Sequence, residues 1–427
     1  MRLLKEEGAR PLLLEQPHPS VRGIMRRRPL GPIGVVTPYP YPIFGPIQQI
    51  IPALIAGNTI VWKPSSLVPI SAQKLVEVFD SARLPPGVIS LVQGPRDPVG
   101  ARLLKQDSLK LLLAAGSAST GDQIRSACSG TRSPWTQTGG KGWAIVCGDA
   151  DLDRAAYEVV TSAFLTTGQR CNSTSRVLIE SRVAQPFLKR VIALSQTLRI
   201  GNPGGEGVFC GPLVDVDRRQ AFDSHLRSLA QAGVEFPLEG GSGQLRGALR
   251  QPNQAYVAPA VALVEGAPPT DCVLPEEVQG PLLVASLVNE PESAAAQYNE
   301  HPYGMSAAVF TGSEARFRYL ASILRAGALN WNRGTTVASA RYPNAGLGRS
   351  GYGAETNVSL LRVCSWPQSS LSAQGEFNPT YRVPGMGWPQ EMDTQPVAPE
   401  GVASVRQAPD EVSIEDEVTL VPNKDLG

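Results

Sequence analysis

Residues 164–176 read FLTTGQRCNSTSR and set one cysteine, Cys171, at the end of a predicted helix. Upstream, apolar residues such as Ala156 and Val160 recur at helical spacing, and downstream residues 176–180 read as a strand. A thiol held at such a junction can act as a nucleophile when it is accessible and deprotonated. Cysteines are also among the residues most often buried and inert, so the spacing alone leaves a structural role open.

Three loops that follow predicted strands carry the residue types that bind nucleotide phosphates. Lys63 is followed by Ser65 and Ser66, and the other two loops are Gly94-Pro-Arg-Asp-Pro-Val-Gly100 and Gly116-Ser117-Ala-Ser-Thr-Gly121. Backbone amides at the start of a helix can receive a pyrophosphate, and a lysine can hydrogen-bond a ribose or a phosphate. Each loop is weak evidence by itself, since a solvated lysine and a plain glycine turn fit equally well.

The stretch from residue 33 to residue 128 alternates short β-branched runs with helical patterns. Strands are predicted at 33–36, 59–62, 88–92 and 109–113, and helices at 47–56, 71–82 and 120–128. A second block follows, with helices at 185–198 and 314–324 and strands near 282–287 and 307–310. Strict alternation indicates βαβ units and a mostly parallel sheet with both faces covered. We therefore expect an α/β fold, with the three loops at the carboxyl ends of the strands of a dinucleotide-binding domain.

The overall composition limits the classes of partner that the protein is expected to bind. Lys and Arg total 39 against 38 Asp and Glu, so no global field favours nucleic acid or a membrane surface, and a small molecule or another protein is expected. The six cysteines lie far apart without a C-x-x-C pair, which argues against a disulfide framework or structural zinc and favours the cytoplasm. No apolar stretch approaches the roughly 20 residues of a membrane span, and the charged start does not resemble a secretory signal. The three scattered histidines disfavour metal catalysis.

The two ends depart from the α/β pattern. Residues 12–15 and 21–25 predict a two-stranded ribbon, and a lone hairpin needs something to pack on. After Trp366 the chain becomes rich in Pro, Gly, Ser and acids, which predicts a segment that is disordered or laid on a neighbouring protein.

Together, the cysteine segment and the three loops resemble the aldehyde dehydrogenase superfamily in order and spacing. The nucleophile pattern is F-x-x-x-G-Q-x-C, and the match continues through Gly139-Gly140-Lys141, Gly211-Pro212-Leu213, Glu276-Glu277-Val-Gln-Gly280-Pro281 and Ser350-Gly351-Tyr-Gly353-Ala-Glu355. The resemblance covers about residues 10–366 and is closest to members that act on semialdehydes.

The resemblance implies a division into segments. It places an oligomerisation hairpin at 1–30, an NAD(P)-binding domain at 31–138, a catalytic domain at 139–345, a return and oligomerisation strand at 346–366 (near 360–363), and an acidic tail at 367–427. The family's N-terminal helical segment has no counterpart before residue 31, so the cofactor domain is expected to be N-terminally short. A homo-oligomer, either a dimer or a dimer of dimers, is implied.

The resemblance also implies the chemistry. The Cys171 thiolate would attack an aldehyde, NAD or NADP would accept the hydride, and a base would activate water against the thioester. The cofactor positions fall on Lys63, Ser65, Ser66, Gly94, Gly100, Gly116, Ser117, Gly121 and Glu277. Ser66 stands where NAD-preferring members place a glutamate, so we expect the preference for NAD over NADP to be relaxed.

Two catalytic positions depart from the family pattern. Pro40 replaces the amide that donates to the oxyanion and has neither a polar side chain nor an N–H. Gln137 replaces the general base, and an amide takes no proton near neutral pH. Glu355 is retained where the family has a second pocket glutamate, and it is a candidate substitute acceptor.

Two hypotheses follow from these departures. The first is an NAD(P)-dependent oxidoreductase that uses Cys171 with slow or altered deacylation. The second is a pseudoenzyme kept as a scaffold or assembly partner, with the acidic tail as its protein contact. Retention of Cys171, Lys63 and Glu277 favours the first hypothesis, whereas Pro40 and Gln137 favour the second.

Overall fold

The computed structural model describes residues 12–13, 21–128, 132–140, 142–264, 278–339, 342, 346–353 and 359–373. The described residues up to Ser372 form one compact unit, which contains the elements below apart from Ala373, the final residue of the last strand.

A six-stranded sheet dominates the amino-terminal half. Its strands are β3 (Pro32–Val36), β4 (Thr59–Lys63), β5 (Ile89–Leu91), β6 (Leu111–Gly116), β7 (Ser133–Thr138) and β17 (Gly351–Tyr352). Their order is β17-β7-β6-β3-β4-β5, and all neighbours are parallel except β17 and β7. Strands are added first on one side of β3 and then on the other, so β3 and β6 flank the point where the strand order reverses.

Helices cover both faces of this sheet, which explains the near-continuous apolar runs in its strands. The connecting helices are α1 (Phe44–Ile55), α2 (Pro69–Ser81), α3 (Ala101–Leu104) and α4 (Ala118–Ala127). Leu111 and Leu113 are fully buried in one core cluster, whereas Leu112 between them is fully buried in another. This alternation is the two-residue period of a strand covered on both sides.

A seven-stranded sheet forms the second half. Its strands are β8 (Gly142–Val146), β9 (Thr174–Glu180), β10 (Glu235–Leu238), β11 (Ala260–Val264), β12 (Leu282–Val288), β14 (Ser306–Phe310) and β15 (Ala328–Trp331). The order is β10-β11-β12-β9-β8-β14-β15, parallel except at β10. The accompanying helices are α5 (Leu152–Phe164), α6 (Ala184–Gln196), α7 (Val216–Gln231), α8 (Pro291–Glu300) and α9 (Glu314–Ile323). A short pair, β13 (Tyr303–Gly304) and β16 (Leu347–Gly348), lies outside this sheet.

The helix that leads to Cys171 begins and packs as its sequence predicts. Asp151 caps α5, because its carboxylate accepts hydrogen bonds from the amides of Asp153 and Arg154. Apolar residues at helical spacing, including Ala156 and Val160, are buried against the seven-stranded sheet. The α/β class predicted from the sequence is confirmed, and most predicted boundaries shift by only a few residues.

The predicted ribbon is present as a pair of antiparallel strands and gains a third strand from the far end of the chain. Its strands are β1 (Leu12–Leu13), β2 (Val21–Pro29) and β18 (Ser365–Ala373), in the order β1-β2-β18. Arg27 Nη1 donates to the carbonyl oxygens of Arg362 and Ser365, each at 3.2 Å. This strand is the neighbour that the hairpin needed.

Two predictions for the end of the chain are wrong. Residues 360–363 form a short helix, α10 (Leu360–Val363), because Leu360 and Cys364, four residues apart, pack together into the core of the six-stranded sheet. A short apolar run fits a helical turn as well as a strand. The tail does not begin at residue 367, since pairing with β2 carries β18 to Ala373.

None of the described helices is long and apolar enough to cross a membrane. Within the same residues, no group of three or more His, Cys, Asp and Glu side chains is placed to hold a metal ion.

Candidate active site

A cavity of about 1210 Å³ opens at the carboxyl ends of the parallel strands of the six-stranded sheet. Val36 and Thr37 line it at the end of β3, Lys63 at the end of β4, and Gly116 with Ser117 after β6. Because β3 and β6 flank the reversal of strand order, this is the place where an open α/β sheet binds its ligand.

Cys171 lines the same cavity from the other half of the unit. It lies in a turn between α5 and β9, and its side chain is exposed. After α5, Thr166, Thr167 and Gly168 have φ values of 56°, 55° and 66°. Left-handed residues in succession are uncommon for L-amino acids and reverse the chain direction. The reversal ends the helix and brings Cys171 to the cavity.

Gln169 fixes this cysteine turn. Its Nε2 donates to the carbonyl oxygens of Thr166 and Pro212 at 3.2 and 3.3 Å, and its Oε1 accepts from the amide of Val214 at 3.0 Å. The amide of Gly140 donates to the carbonyl oxygen of Cys171 at 3.1 Å. Residues of the G-Q-x-C, G-P-L and G-G-K motifs therefore meet at the cysteine turn.

The other described cysteines are placed differently. Cys147, Cys210 and Cys364 are fully buried, and burial raises the pKa of each thiol to about 12. Cys128 is partly exposed, and burial raises the pKa of its thiol as well. Among the cysteines that the structure describes, Cys171 alone lines the cavity.

Lys63 is nearly buried at the end of β4, with 6% of its surface exposed. Burial lowers the pKa of its ammonium group, and its Nζ donates to the carbonyl oxygen of Pro64 at 3.2 Å. Gly100 lies against the lysine side chain, since a Cβ on it would be 3.4 Å from Lys63 Cε, within van der Waals contact. A desolvated cation in this position is suited to bind an anion or a ribose hydroxyl.

Most of the remaining predicted cofactor residues lie around Lys63. Ser65, Ser66, Gly100, Gly116 and Ser117 all line the cavity. Ser117 caps α4, with its Oγ accepting from the amide of Thr120 at 3.3 Å. The first turn of α4 therefore begins at the cavity wall, where its amides can meet a phosphate.

Two predicted cofactor glycines do not line the cavity. Gly94 has a φ of 149°, and a Cβ there would lie 2.6 Å from Val99 Cγ2, so it shapes the turn before residues 96–100. Gly121 lies inside α4, where a Cβ would collide with Thr138 Cγ2 of β7. Its role in the structure is close helix-to-strand packing.

The altered catalytic positions lie where the sequence places them. Pro40, in the loop between β3 and α1, and Gln137, on β7, both line the cavity with Cys171. Gln137 is paired with Gly351 of β17. Glu277 and Glu355 lie outside the described residues.

Sequence reasoning missed several residues on the thiol side of the cavity. The Arg170 guanidinium carbon lies 4.9 Å from the centre of the Tyr41 ring, and Arg218, in the first turn of α7, also lines the cavity. Tyr39 Oη donates to Gln279 Oε1 across 240 positions of sequence. Such pairs leave no local pattern in the sequence.

The loop after β15 forms a further wall and is tied to the cysteine turn. Thr335 is 1% exposed, and its hydroxyl donates to the carbonyl oxygen of Asn172 at 2.7 Å and lies 2.8 Å from Thr174 Oγ1. Glu158 of α5 accepts from the amide of Gly334 at 2.8 Å. The residue after Cys171 is thus held by a loop more than 160 residues away, which no sequence signal showed.

Comparison with known proteins gave consistent matches. The model of the "Aldehyde dehydrogenase family" matches residues 5–366. The chain is 34% identical over 378 residues to N-succinylglutamate 5-semialdehyde dehydrogenase of Escherichia coli, which covers 88% of this chain and 75% of that protein.

Solved structures are similar over the same extent. PnpE in complex with nicotinamide adenine dinucleotide has a TM-score of 0.81 at 27% identity, covering 89% of this chain and 76% of its own. The glyceraldehyde-3-phosphate dehydrogenase GapN from Methanocaldococcus jannaschii, complexed with NADP, has a TM-score of 0.79 at 25% identity, covering 87% and 78%.

Proposed function

The chain belongs to the aldehyde dehydrogenase family, and from this premise we propose that it oxidises an aldehyde at Cys171 with NAD or NADP as acceptor. One observation carries the proposal. The exposed thiol of Cys171 and the strand-end loops of the six-stranded sheet line a single cavity. A nucleophile and a nucleotide site that share one cavity can act on the same substrate carbon.

The residues around the six-stranded sheet fit a dinucleotide. The first turn of α4, opened by Ser117, offers backbone amides to a phosphate, and Lys63 offers a cation beside Gly100. Ser65 and Ser66 present hydroxyls at this end, which suits NAD and NADP alike. A nicotinamide cofactor held by these residues would supply the hydride acceptor for oxidation of the aldehyde.

The chain's own chemistry centres on Cys171. Its thiolate attacks the carbonyl carbon, a C–S bond forms, and the carbonyl π electrons move to the oxygen. Once the carbon has lost its hydride, Cys171 carries a thioester. Addition of water then releases the acid and restores the thiol.

We propose that this last step is slow. Gln137 can orient a water molecule but cannot take its proton, and a positioned general base contributes about 10² to 10⁴ in rate. The thioester would therefore persist, long enough for a thiol or an amine to accept the acyl group. Glu355, an expected substitute acceptor, lies outside the described residues.

The substrate that we propose is a semialdehyde bearing an acidic group. The E. coli relative is named for N-succinylglutamate 5-semialdehyde. Arg170 and Arg218 both line the cavity beside the cysteine turn, and the charged residues described at this end include neither Asp nor Glu. These two cations favour an anionic group on the ligand.

Intact-protein mass spectrometry tests the proposal. After incubation with NAD and a panel of semialdehydes, we expect an acyl adduct on the wild-type protein and none on Cys171→Ser. Calorimetric titration with NAD and NADP provides the second measurement. Absence of nucleotide binding at millimolar concentration would remove the oxidoreductase proposal.

Pro40 and Gln137 also support a second candidate, a catalytically degenerate scaffold or assembly partner that contacts proteins through residues 374–427. The two candidates differ in the effect of restoring the family residues. If Gln137→Glu and Pro40→Asn, singly and together, stay silent across aldehydes in a folded protein that binds nucleotide, the scaffold is favoured.

For assembly we propose a homo-oligomer, as a dimer or a dimer of dimers, and a cytoplasmic location. The ribbon β1-β2-β18 is the proposed contact, in place of residues 360–363. Trp366 and Leu371 on β18 are 45% and 66% exposed and offer apolar surface to a second copy of the chain. Analytical ultracentrifugation of the wild-type protein and a Trp366→Ser/Leu371→Ser variant tests this contact.

A further inference from the structure

Tyr39 and Gln279 form a hydrogen-bonded pair next to the position where Pro40 leaves no donor. Tyr39 Oη donates to Gln279 Oε1, and both side chains line the cavity together with Cys171. With its oxygen held by Tyr39, the Gln279 amide keeps its Nε2 and the two N–H donors of that atom for another partner.

The segment that carries Gln279 is packed directly on the cysteine turn. A Cβ on Gly168 would collide with the carbonyl oxygen of Gly280 and lie 3.0 Å from Pro281 Cα. The amide of Ala260 donates to the carbonyl oxygen of Pro281 at 2.9 Å, so the segment is pinned to β11. Gln279 therefore projects from fixed backbone that touches the turn three residues before Cys171.

We propose that Gln279 is the oxyanion donor of this protein, taking the place of the amide lost at Pro40, and that Tyr39 is its positioning residue. The inference rests on the proposed function of Cys171. In the step concerned, a sulfur electron pair forms the C–S bond, the carbonyl π pair moves to oxygen, and the negative charge passes from sulfur to oxygen. Gln279 Nε2 donates to that oxygen.

The size of the effect follows from the chemistry of such sites. A preorganised donor aimed at an oxyanion typically contributes about 10² to 10³ in rate. The oxyanion stabilisation that is lost at Pro40 is then offset by the stabilisation that Gln279 supplies in the same cavity.

A test without nucleotide isolates the donor from hydride transfer. Attack of the Cys171 thiolate on p-nitrophenyl acetate forms the same kind of oxyanion, which collapses to acetyl-Cys171 and p-nitrophenolate. Alkylation of Cys171 by iodoacetamide displaces iodide at a saturated carbon and forms no oxyanion. The ratio of the two rates therefore reports the oxyanion donor separately from thiol reactivity.

We expect Gln279→Leu to slow acetylation about 10² to 10³-fold and to leave alkylation unchanged. Gln279→Glu has the same shape, removes the donor, and should slow acetylation at least as much. Tyr39→Phe should slow it less, since the amide remains but loses its anchor. Gln231→Leu, an exposed glutamine at the end of α7, is the matched control and should match the wild type.

Rescue makes the test specific. Pro40→Asn should restore acetylation far more in the Gln279→Leu background than in the wild type, because the two amides serve one oxygen. Equal acetylation of wild type and both Gln279 variants would overturn the inference while leaving the proposed function standing. Slower acetylation matched by slower alkylation would overturn it too, since it would mark a damaged thiol. A wild-type protein that is alkylated at Cys171 but never acetylated would overturn both.

Discussion

Gln137 lies on β7 and lines the cavity with Cys171, and we propose that it stands in the place of the base that thioester hydrolysis needs. We expect Gln137→Glu to raise steady-state NAD(P)H production by about 10² to 10⁴-fold. The first-turnover burst should change little, because acylation precedes the step that needs the base. Stopped-flow absorbance resolves the two phases. A variant that changed the burst and left the steady state unaltered would contradict this assignment.

The reactivity of each thiol is likewise set by the surroundings of a single residue. At pH 8 the thiols of Cys147, Cys210 and Cys364 are protonated and buried, so iodoacetamide should modify Cys171 well before these three. Peptide mapping of briefly labelled protein checks the order, with urea-unfolded protein as the control in which the buried thiols react. Labelling of Cys210 ahead of Cys171 would be incompatible with the described burial.

Site residues could be predicted from the sequence where they belong to a local motif. They could not be predicted where they depend on a contact between residues far apart in the sequence. The segment around Cys171 and the loops at Lys63 and Ser117 could be found from sequence, since strand-end loops meet at one edge of a parallel sheet. Tyr39 and Gln279 could not, because their bond joins two loops of different sheets. Gly121 shows a third case, in which a motif glycine serves helix packing and does not line the cavity.

The loop after β15 is the element that holds the residue next to the nucleophile. Thr335→Val keeps the shape of the side chain but removes its bonds to Asn172 and Thr174. We expect the free energy of unfolding to fall by about 1 to 3 kcal/mol and Cys171 acylation to slow. Urea unfolding and the p-nitrophenyl acetate assay measure the two effects. Thr335→Ser, which keeps the hydroxyl, is the control, and an equal loss in both variants would contradict the bonding argument.

Helices and strands could be predicted from the periodicity of apolar residues. The exceptions are apolar runs that are too short to distinguish a helix from a strand. The pattern of α5 extends over several turns and its cap is local, so the helix was recognisable. Residues 360–363 span one turn, and only their contact with the core of the six-stranded sheet selects a helix. Similarly, β18 is a strand because β2 is available to pair with it.

The pH dependence of stability is a property of the whole unit. In the unfolded chain the thiols of Cys147, Cys210 and Cys364 ionise near pH 9, whereas folding holds their pKa at about 12. Below pH 9 the folded and the unfolded protein both keep these protons, so the thiols do not make the free energy of unfolding depend on pH. Above it the unfolded chain loses them first, so the free energy of unfolding should fall by about 1 kcal/mol per pH unit for each thiol.

The loss of stability from these thiols is expected to begin as the pH rises through 9. Urea unfolding at pH 8, 9 and 10 measures the slope, and Cys364→Ala should reduce it by about a third of the thiol effect. An unchanged slope in that variant would argue against the contribution of Cys364.

The six-stranded sheet gains its last contacts from residues that come late in the chain, and this has a consequence for synthesis on the ribosome. Asn58 Nδ2 donates to the carbonyl oxygen of Cys364, 306 positions later, and β7 gains its outer neighbour only when β17 arrives. At about 5 to 20 residues per second, the nascent chain waits on the order of ten seconds or more with that sheet edge open. Translation that stops before residue 346 should then release a product that cannot complete its nucleotide-binding half and is handed to chaperones and proteases.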